Sequence, residues 1–460
     1  MDTATTHNPL GIEPIKKLMF KFAVPSIIAM IISALYNIVD QLFIGNAVGT
    51  LGNAATNIAF PLTTLCVALA LMFGIGGAAS FNLTLGRGDK ERAPYYMGNA
   101  MTMLVICGVL LLIVTRLFLT PILVGFGSPA DVLPYAKEYV GITAIGFPFL
   151  LLQIGGGYLV RADGSPKITM ACNVTGAVIN TILDALFVMV FRWGMAGAAW
   201  ATVIGQVIAA LIVILYLRRC KTIRLSGKHF RVRAANIKMI ASIGLAPFFN
   251  QILMMFVQII CNNLFAYWGA FSVYGDAIPL ACVGIVMKVN MIYFSVVIGL
   301  AQGSQPIESF NYGAEKYDRV RSAYKLALIS GLIIGIIAFV IFQLFPYQIL
   351  LLFGNNEKEY FAFGTKMFRI FLLFTWMNCF QPITATFFTS IGKAKNGVIL
   401  SLTRQLFYFL PPLVILPFFF GVEGMLYAAP IADCLSMLTA VLMARHEFRL
   451  IRQKELAHGE

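Results

Sequence analysis

The chain has 460 residues, of which 59% are apolar and only 12% are charged. Soluble domains run at about 45–50% apolar and about 25% charged, so this composition excludes a soluble globule, and the same apolarity excludes a disordered chain. The formal charge of +14 would suit a nucleic-acid partner, but the positions of the basic residues assign it to membrane topology and leave no nucleic acid to invoke.

The apolar residues run in continuous blocks. A lipid-embedded barrel would alternate apolar and polar residues instead, so the reading is an all-α polytopic membrane protein. The blocks fall near 18–45, 53–85, 95–120, 133–160, 167–191, 195–217, 239–266, 278–305, 325–350, 363–390, 396–420 and 424–444. At about 20 residues per crossing this predicts twelve transmembrane helices. The first block follows Lys16, Lys17 and Lys21 and is too long for a signal-peptide core, with no small-residue cleavage site behind it. It reads as a retained first span.

Alternate loops collect the basic residues: Arg87, Lys90 and Arg92; Arg161 and Lys167; eight residues between Arg218 and Lys238; Lys316, Arg319, Arg321 and Lys325; Lys393 and Lys395; and Arg445, Arg449, Arg452 and Lys454. The opposite loops hold Arg116, Lys137, Arg192, Lys358 and Lys366. This bias predicts cytoplasmic N- and C-termini. The stretch 218–238 contains no acid. It reads first as a topology-fixing linker and second as a binder of anionic lipid.

The two halves echo each other. Gly76, Gly86 and Arg92 match Gly303, Gly313 and Arg319, and Phe126-Gly127 matches Phe353-Gly354. Gly194-Met195-Ala196-Gly197 matches Gly421-Val422-Glu423-Gly424. Each half has six spans and therefore one shared orientation. The predicted organisation is an N-lobe (1–217), a basic cytoplasmic linker (218–238), a C-lobe (239–444) and a cytoplasmic tail (445–460). Parallel repeats of this kind place sites near the repeat interface and suit a secondary transporter with alternating access. No Walker A motif occurs, which argues against a self-contained ATP-driven pump.

Ionisable groups inside spans are costly and point to function. Asp40 lies 19 residues beyond Lys21, and Asp184 lies 17 beyond Lys167. Both are then roughly 26–28 Å above the cytoplasmic boundary. Thr202, counted back from Arg192 on a span of opposite direction, reaches a similar depth, and Asn180 sits one turn from Asp184 on the same face. Two carboxylates, an amide and a hydroxyl at one level could bind Na⁺ through hard oxygen ligands or share a proton. The blander alternative is that each acid satisfies a helix end or water. The matching C-half positions are Asn262, Phe407, Pro411 and Ala429, so these groups are a specialisation of the N-half.

The C-half carries Lys288, Arg404 and Asp433. Counted from Asp276 and Glu423, Lys288 and Asp433 share a depth of roughly 15–18 Å from the outer face, which predicts an ion pair between them, or else a residue facing a cavity. Glu308 is expected at the membrane interface. Pro25 shares a helix with Asp40 and is the hinge candidate. Gly155-Gly156-Gly157 in the fourth span suits a hinge or a cavity lining. The eight cysteines form no CxxC pair and all but Cys220 sit in apolar runs, so they read as packing residues. His7, His229, His446 and His458 fall in termini or loops, which excludes an intramembrane histidine relay or metal site. No GxSxG motif occurs, and no enzymatic activity is expected.

With these residues in place the chain resembles the multidrug and toxic compound extrusion (MATE) family, in its MepA-like and DinF-like bacterial branch. The likeness covers nearly the whole chain. It rests on Pro25, Asn37 and Asp40 followed by Phe43-Ile44-Gly45, on Arg161-Ala162-Asp163-Gly164, on Asn180 and Asp184, and on Gly194-Met195-Ala196-Gly197. It rests further on Gln302-Gly303-Ser304-Gln305-Pro306 with Asn311-Tyr312-Gly313. The resemblance implies two pseudo-symmetric six-helix lobes in a V, and efflux of amphipathic, often cationic compounds in exchange for H⁺ or Na⁺. It implies a coupling-ion site at Asp40, Asn180, Asp184 and Thr202, with Tyr139 as partner of Asp40 and Na⁺ as the metal to consider there. Substrate-cavity candidates are Tyr36, Asn37 and Gln153. The expected setting is the bacterial inner membrane, as a monomer, with amphipathic small molecules and membrane lipids as partners and no cofactor beyond the coupling ion. The spans 7 and 10, where some relatives carry acids, have none here. The competing reading is a flippase for a lipid-linked saccharide, which needs a cationic cavity. Only Lys288, Arg369 and Arg404 could supply one.

Overall fold

In the computed structural model the described residues, 8–275, 277–352 and 358–458, form helices and turns and no strand. His7, Asp276 and Phe353-Gly354 lie outside them. The long helices are α1 (Ile15–Val48), α2 (Thr50–Gly86), α3 (Ala93–Leu117), α4 (Leu133–Ala162), α5 (Pro166–Asp184), α6 (Gly194–Leu217), α7 (Ala234–Ala270), α8 (Ala277–Gly313) and α9 (Tyr317–Leu344). They are followed by α10 (Lys358–Phe371), α11 (Phe380–Ser390), α12 (Ala394–Leu402), α13 (Leu410–Ile415) and α14 (Ala428–His458). Eleven stretches are long and apolar enough to cross a membrane, and the last of them, Ala394–Leu456, contains two crossings. The chain reverses between those two at Gly421, whose φ of +61° suits a residue without a Cβ. Twelve crossings result.

The tenth span departs from the single block expected at 363–390. It breaks between Phe371 and Phe380, where the chain makes a 3₁₀ turn at Thr375–Met377. Pro382 stands in the first turn of α11, where its missing N–H leaves no bond unmade. The Tyr293 hydroxyl donates to the carbonyl of Thr375 at 2.8 Å, which satisfies backbone freed by the break. Each half also carries a π-helical stretch in its fifth span, Ala185–Val190 directly after Asp184 and Thr403–Phe409 after α12. Such stretches re-aim side chains and recur at functional sites.

The three glycines of α4 do not break it; α4 is continuous from Leu133 to Ala162. They admit neighbours instead. A Cβ on Gly74 of α2 would lie 2.6 Å from Gly155 Cα, and one on Gly155 would lie 3.0 Å from the Ala70 carbonyl oxygen. The same device joins the two halves. Gly244 of α7 meets the Met72 backbone of α2, and Gly76 of α2 meets the Ile240 carbonyl of α7. Gly299 and Gly303 of α8 meet Ile27 and Ala23 of α1, and Gly86 and Gly313 pack α2 against α8. All six glycines lie in the halves of these helices nearest the chain termini.

Both termini are tied to that face. The Asn311 amide donates to the Leu10 carbonyl at 2.9 Å, Lys316 Nζ to that of Gly11 at 3.0 Å, and Arg319 to those of Leu10 and Glu13 at 3.0 and 2.6 Å. Arg321 reaches Glu455 of α14 at 3.2 Å. Beside this terminal face Arg161, only 3% exposed, bridges the halves. It donates to Gln302 Oε1 at 3.1 Å and stands over the Tyr158 ring, while Gln302 donates to the Tyr158 hydroxyl at 2.6 Å. Asp163 accepts from the backbone N–H groups of Lys221 and Thr222 and from Tyr216, which fixes the start of the linker.

Glu308 corrects one expectation. It is fully buried beside Ser304 and Ser390, with both carboxyl oxygens unpartnered, where an interfacial group would face water or headgroups. Its side of α8 faces α11, which depth counting along the chain could not show.

Candidate functional site

Asp40 projects from α1 and Asp184 from the last turn of α5. The structure brings their carboxyl groups close to each other. Asn180, one turn before Asp184, donates from Nδ2 to Thr202 Oγ1 of α6 at 3.3 Å. Two phenols complete the cluster. Tyr36 of α1 and Tyr139 of α4 both stand near Thr202 and near both acids. Asp184 and Asn180 are buried at 0% and 2% exposure, so their polar atoms face no bulk water. Four buried oxygens there have no hydrogen-bond partner: Asp40 Oδ1, Asn180 Oδ1 and both of Asp184. Unpartnered buried oxygens are expensive. Two carboxyls, an amide oxygen and a hydroxyl form an all-oxygen donor set with up to two negative charges. A single H⁺ between the carboxyls, or a hard monovalent cation, would relieve that cost.

Local chain geometry places the cluster. The π stretch that follows Asp184 marks where α5 gives up regular helical register. Gly205 lets α6 approach α5 until a Cβ there would lie 2.9 Å from the Gly176 carbonyl oxygen, which brings Thr202 to Asn180. Tyr36 belongs to this cluster, although the sequence reading places it in a substrate cavity. The signal for the cluster was available, since Tyr36 is four residues before Asp40 on the same helical face.

The remaining predicted residues lie apart. Asn37 is exposed on α1, and its amide donates to the Ser33 carbonyl at 2.7 Å. Gln153 packs inside the first half, 3.6 Å from where a Gly176 Cβ would stand. Pro25 is buried within an unbroken α1. The expected Lys288–Asp433 pair does not form. Asp433 pairs with Arg404 at 2.8 Å, and Arg404 also donates to Asn378 at 3.2 Å. Asp433 faces the eleventh span, whereas Lys288 points at the other half. Lys288 lines a cavity of about 280 Å³ with Gln41, Leu42, Asn53, Thr56 and Asn57 of α1 and α2. This cavity lies in the halves of the helices away from the terminal face, where the close glycine contacts have ended. The Arg161–Gln302–Tyr158 bridge escaped the sequence reading because Arg161 counted there as a loop charge.

Comparison with known proteins agrees with this architecture. The MatE family model matches residues 25–186 and 247–412, once in each half. Multidrug export protein MepA of Staphylococcus saprophyticus is 24% identical over 428 residues, covering 93% of both chains. MepA of Staphylococcus aureus is 23% identical over 94% of both. A solved chain described as the outward-facing conformation of a multidrug resistance MATE family transporter of the MOP superfamily superposes with a TM-score of 0.91 at 21% identity. It covers 98% of this chain and 99% of its own.

Proposed function

This chain belongs to the MatE family, and from that premise we propose that it is a secondary active multidrug exporter. It moves amphipathic, often cationic compounds outward in exchange for H⁺ or Na⁺. The observation that carries the ion coupling is the set of four unpartnered buried oxygens on Asp40, Asn180 and Asp184. In this reading the terminal face is cytoplasmic, and the present state is sealed there by the glycine contacts of α1 with α8 and α2 with α7. The cavity at Lys288 is the part of the inter-lobe cleft on the opposite side.

The coupling step follows from the residues. With both acids ionised, the Asp40 and Asp184 carboxylates repel, and α1 and α5 are held apart at that level. When one H⁺ is taken up, one carboxyl donates to the other and the repulsion ends. Na⁺, as an alternative exchanged substrate, would be held by Asp40, Asp184, the Asn180 amide oxygen and the Thr202 hydroxyl. Either cation draws α1 toward α5, and Pro25, which leaves its helix one backbone bond short, is where α1 yields. Reciprocal linkage then requires the cation-bound state to hold the exported compound weakly.

Proteoliposomes loaded with a fluorescent organic cation test this. A pH gradient and a Na⁺ gradient are imposed separately on wild type and on Asp40→Asn. Gradient-driven movement in the wild type and its loss in the variant are the expected results, and the effective gradient identifies the ion. Full coupled efflux by Asp40→Asn rejects the assignment. The flippase reading is disfavoured by charge: Arg404 is neutralised by Asp433 and Arg369 is exposed outside this cavity, which leaves Lys288 as the one cation on its wall, too little for a pyrophosphate.

A further inference from the structure

The second half of the linker between the lobes is docked on α3. Asn99 donates to the carbonyls of His229 and Arg231 at 3.0 and 3.1 Å and accepts from the Arg233 N–H at 2.8 Å. Thr102 donates to the Phe230 carbonyl at 2.9 Å. The Arg233 guanidinium lies 3.9 Å over the Tyr95 ring, and Tyr95 meets the His229 ring edge-on at 4.8 Å. Gly98 permits the approach, since a Cβ there would lie 2.6 Å from the His229 carbonyl carbon.

The docked segment walls a pocket of about 410 Å³ at the first turn of α3. Lys90, Arg224 and Lys228 line it against a single acid, Glu91. Among the described residues none of those three cations takes part in a salt bridge. His229 also lines it and is only 6% exposed. Its Nδ1 accepts from the Ser226 N–H at 3.0 Å, so the neutral ring carries its proton on Nε2. Burial, Lys228 and Arg233 hold the His229 pKa below the usual histidine value, so the ring donates as a neutral group near pH 7.

Membrane topology asks for basic residues in this loop layer, and no more than that. It does not ask three of them to converge on one cavity beside a buried imidazole, where like charges repel. We propose that this pocket is a phosphate-binding site, filled by the headgroup of an anionic phospholipid, and that its occupant pins the linker to the first lobe. Three cations and an imidazole N–H, beside the positive end of a 25-residue helix, match a group with several anionic oxygens.

The test uses the full chain with labelled histidines in three nanodisc preparations: phosphatidylcholine, phosphatidylcholine with phosphatidylglycerol, and phosphatidylcholine with inorganic phosphate in solution. NMR follows the ring titrations. His446, exposed on α14, reports the general surface potential. The expected result is a His229 midpoint raised by about 1 unit or more in phosphatidylglycerol discs beyond any movement of His446, and loss of that excess in Lys90→Gln/Arg224→Gln. Neither substitution touches the contacts that dock the linker. The same excess with inorganic phosphate alone would uphold the phosphate site and assign it a soluble ligand. Equal movement of His229 and His446 in every preparation, or an excess that survives in the double variant, overturns the proposal.

Discussion

Gly244→Ala is the sharpest probe of the seam between the lobes. The new Cβ would lie inside the van der Waals shell of the Met72 carbonyl oxygen, 2.6 Å from its carbon and 2.7 Å from Met72 Cα. All three are backbone atoms of α2, so no side chain can swing aside. Ordinary contact needs about 3.4–4 Å, and α7 must therefore back away from α2. Overpacking of this kind costs about 1–3 kcal/mol. The gain in helix propensity from Gly to Ala is common to any state in which α7 is helical and cancels. If the seam opens when the terminal face opens, the cost falls on the present state alone and shifts the equilibrium about 5- to 150-fold toward the other. The assay is labelling of a single cysteine at Ile243, buried on α7 against Ala79 and Leu83 of α2, by a water-soluble maleimide added from the terminal face, in a background free of native cysteines. Gly284→Ala on α8 meets nothing within 4 Å and serves as the control. Faster labelling in Gly244→Ala and an unchanged rate in Gly284→Ala are expected. Equal rates in both would show that the close glycine contacts do not hold the lobes shut.

Two further outcomes follow from ionic contacts. Arg404→Met leaves the Asp433 carboxylate, whose side chain is 3% exposed, without its counter-charge and should destabilise the detergent-solubilised protein by about 3–5 kcal/mol; Arg404→Met/Asp433→Leu should recover most of that in the same thermal unfolding assay, and an equal loss in single and double variants would remove the pair from the stability of the second lobe. His229 has its pKa lowered in the folded state, so the unfolded or undocked linker binds the proton more readily: docking is complete above about pH 6.5 and weakens as pH falls below it. In phosphatidylcholine discs, cleavage after Arg231 or Arg233 by a trypsin-like protease active in mild acid should rise between pH 7 and pH 5 in wild type, corrected for intrinsic protease rate, and stay flat in His229→Gln.

The twelve crossings, the two-fold internal repeat and the membrane class follow from composition and block length, because the cost of exposing apolar side chains to water depends on how many there are and how far they run, which is one-dimensional information. The level shared by Asp40, Asp184 and Thr202 was legible for the same reason: helix rise converts residue number into depth. Depth says nothing of azimuth. Lys288 and Asp433, counted to one level, face different elements, and Glu308, counted to an interface, is sealed between α8 and α11. Tyr36 joins the carboxyl cluster, and Arg161 leaves the loop charges to bridge the lobes. The break in the tenth span and the two π stretches also needed the fold, because each depends on partners from other helices, such as Tyr293 at the Thr375 carbonyl. The sequence by itself determined how many helices cross and in what order, and put Asp40, Asp184 and Thr202 at one level. Only the tertiary structure decided which way each group points, because rotation of a helix about its axis is set by what packs against it, and here by glycines whose missing Cβ atoms let backbones touch.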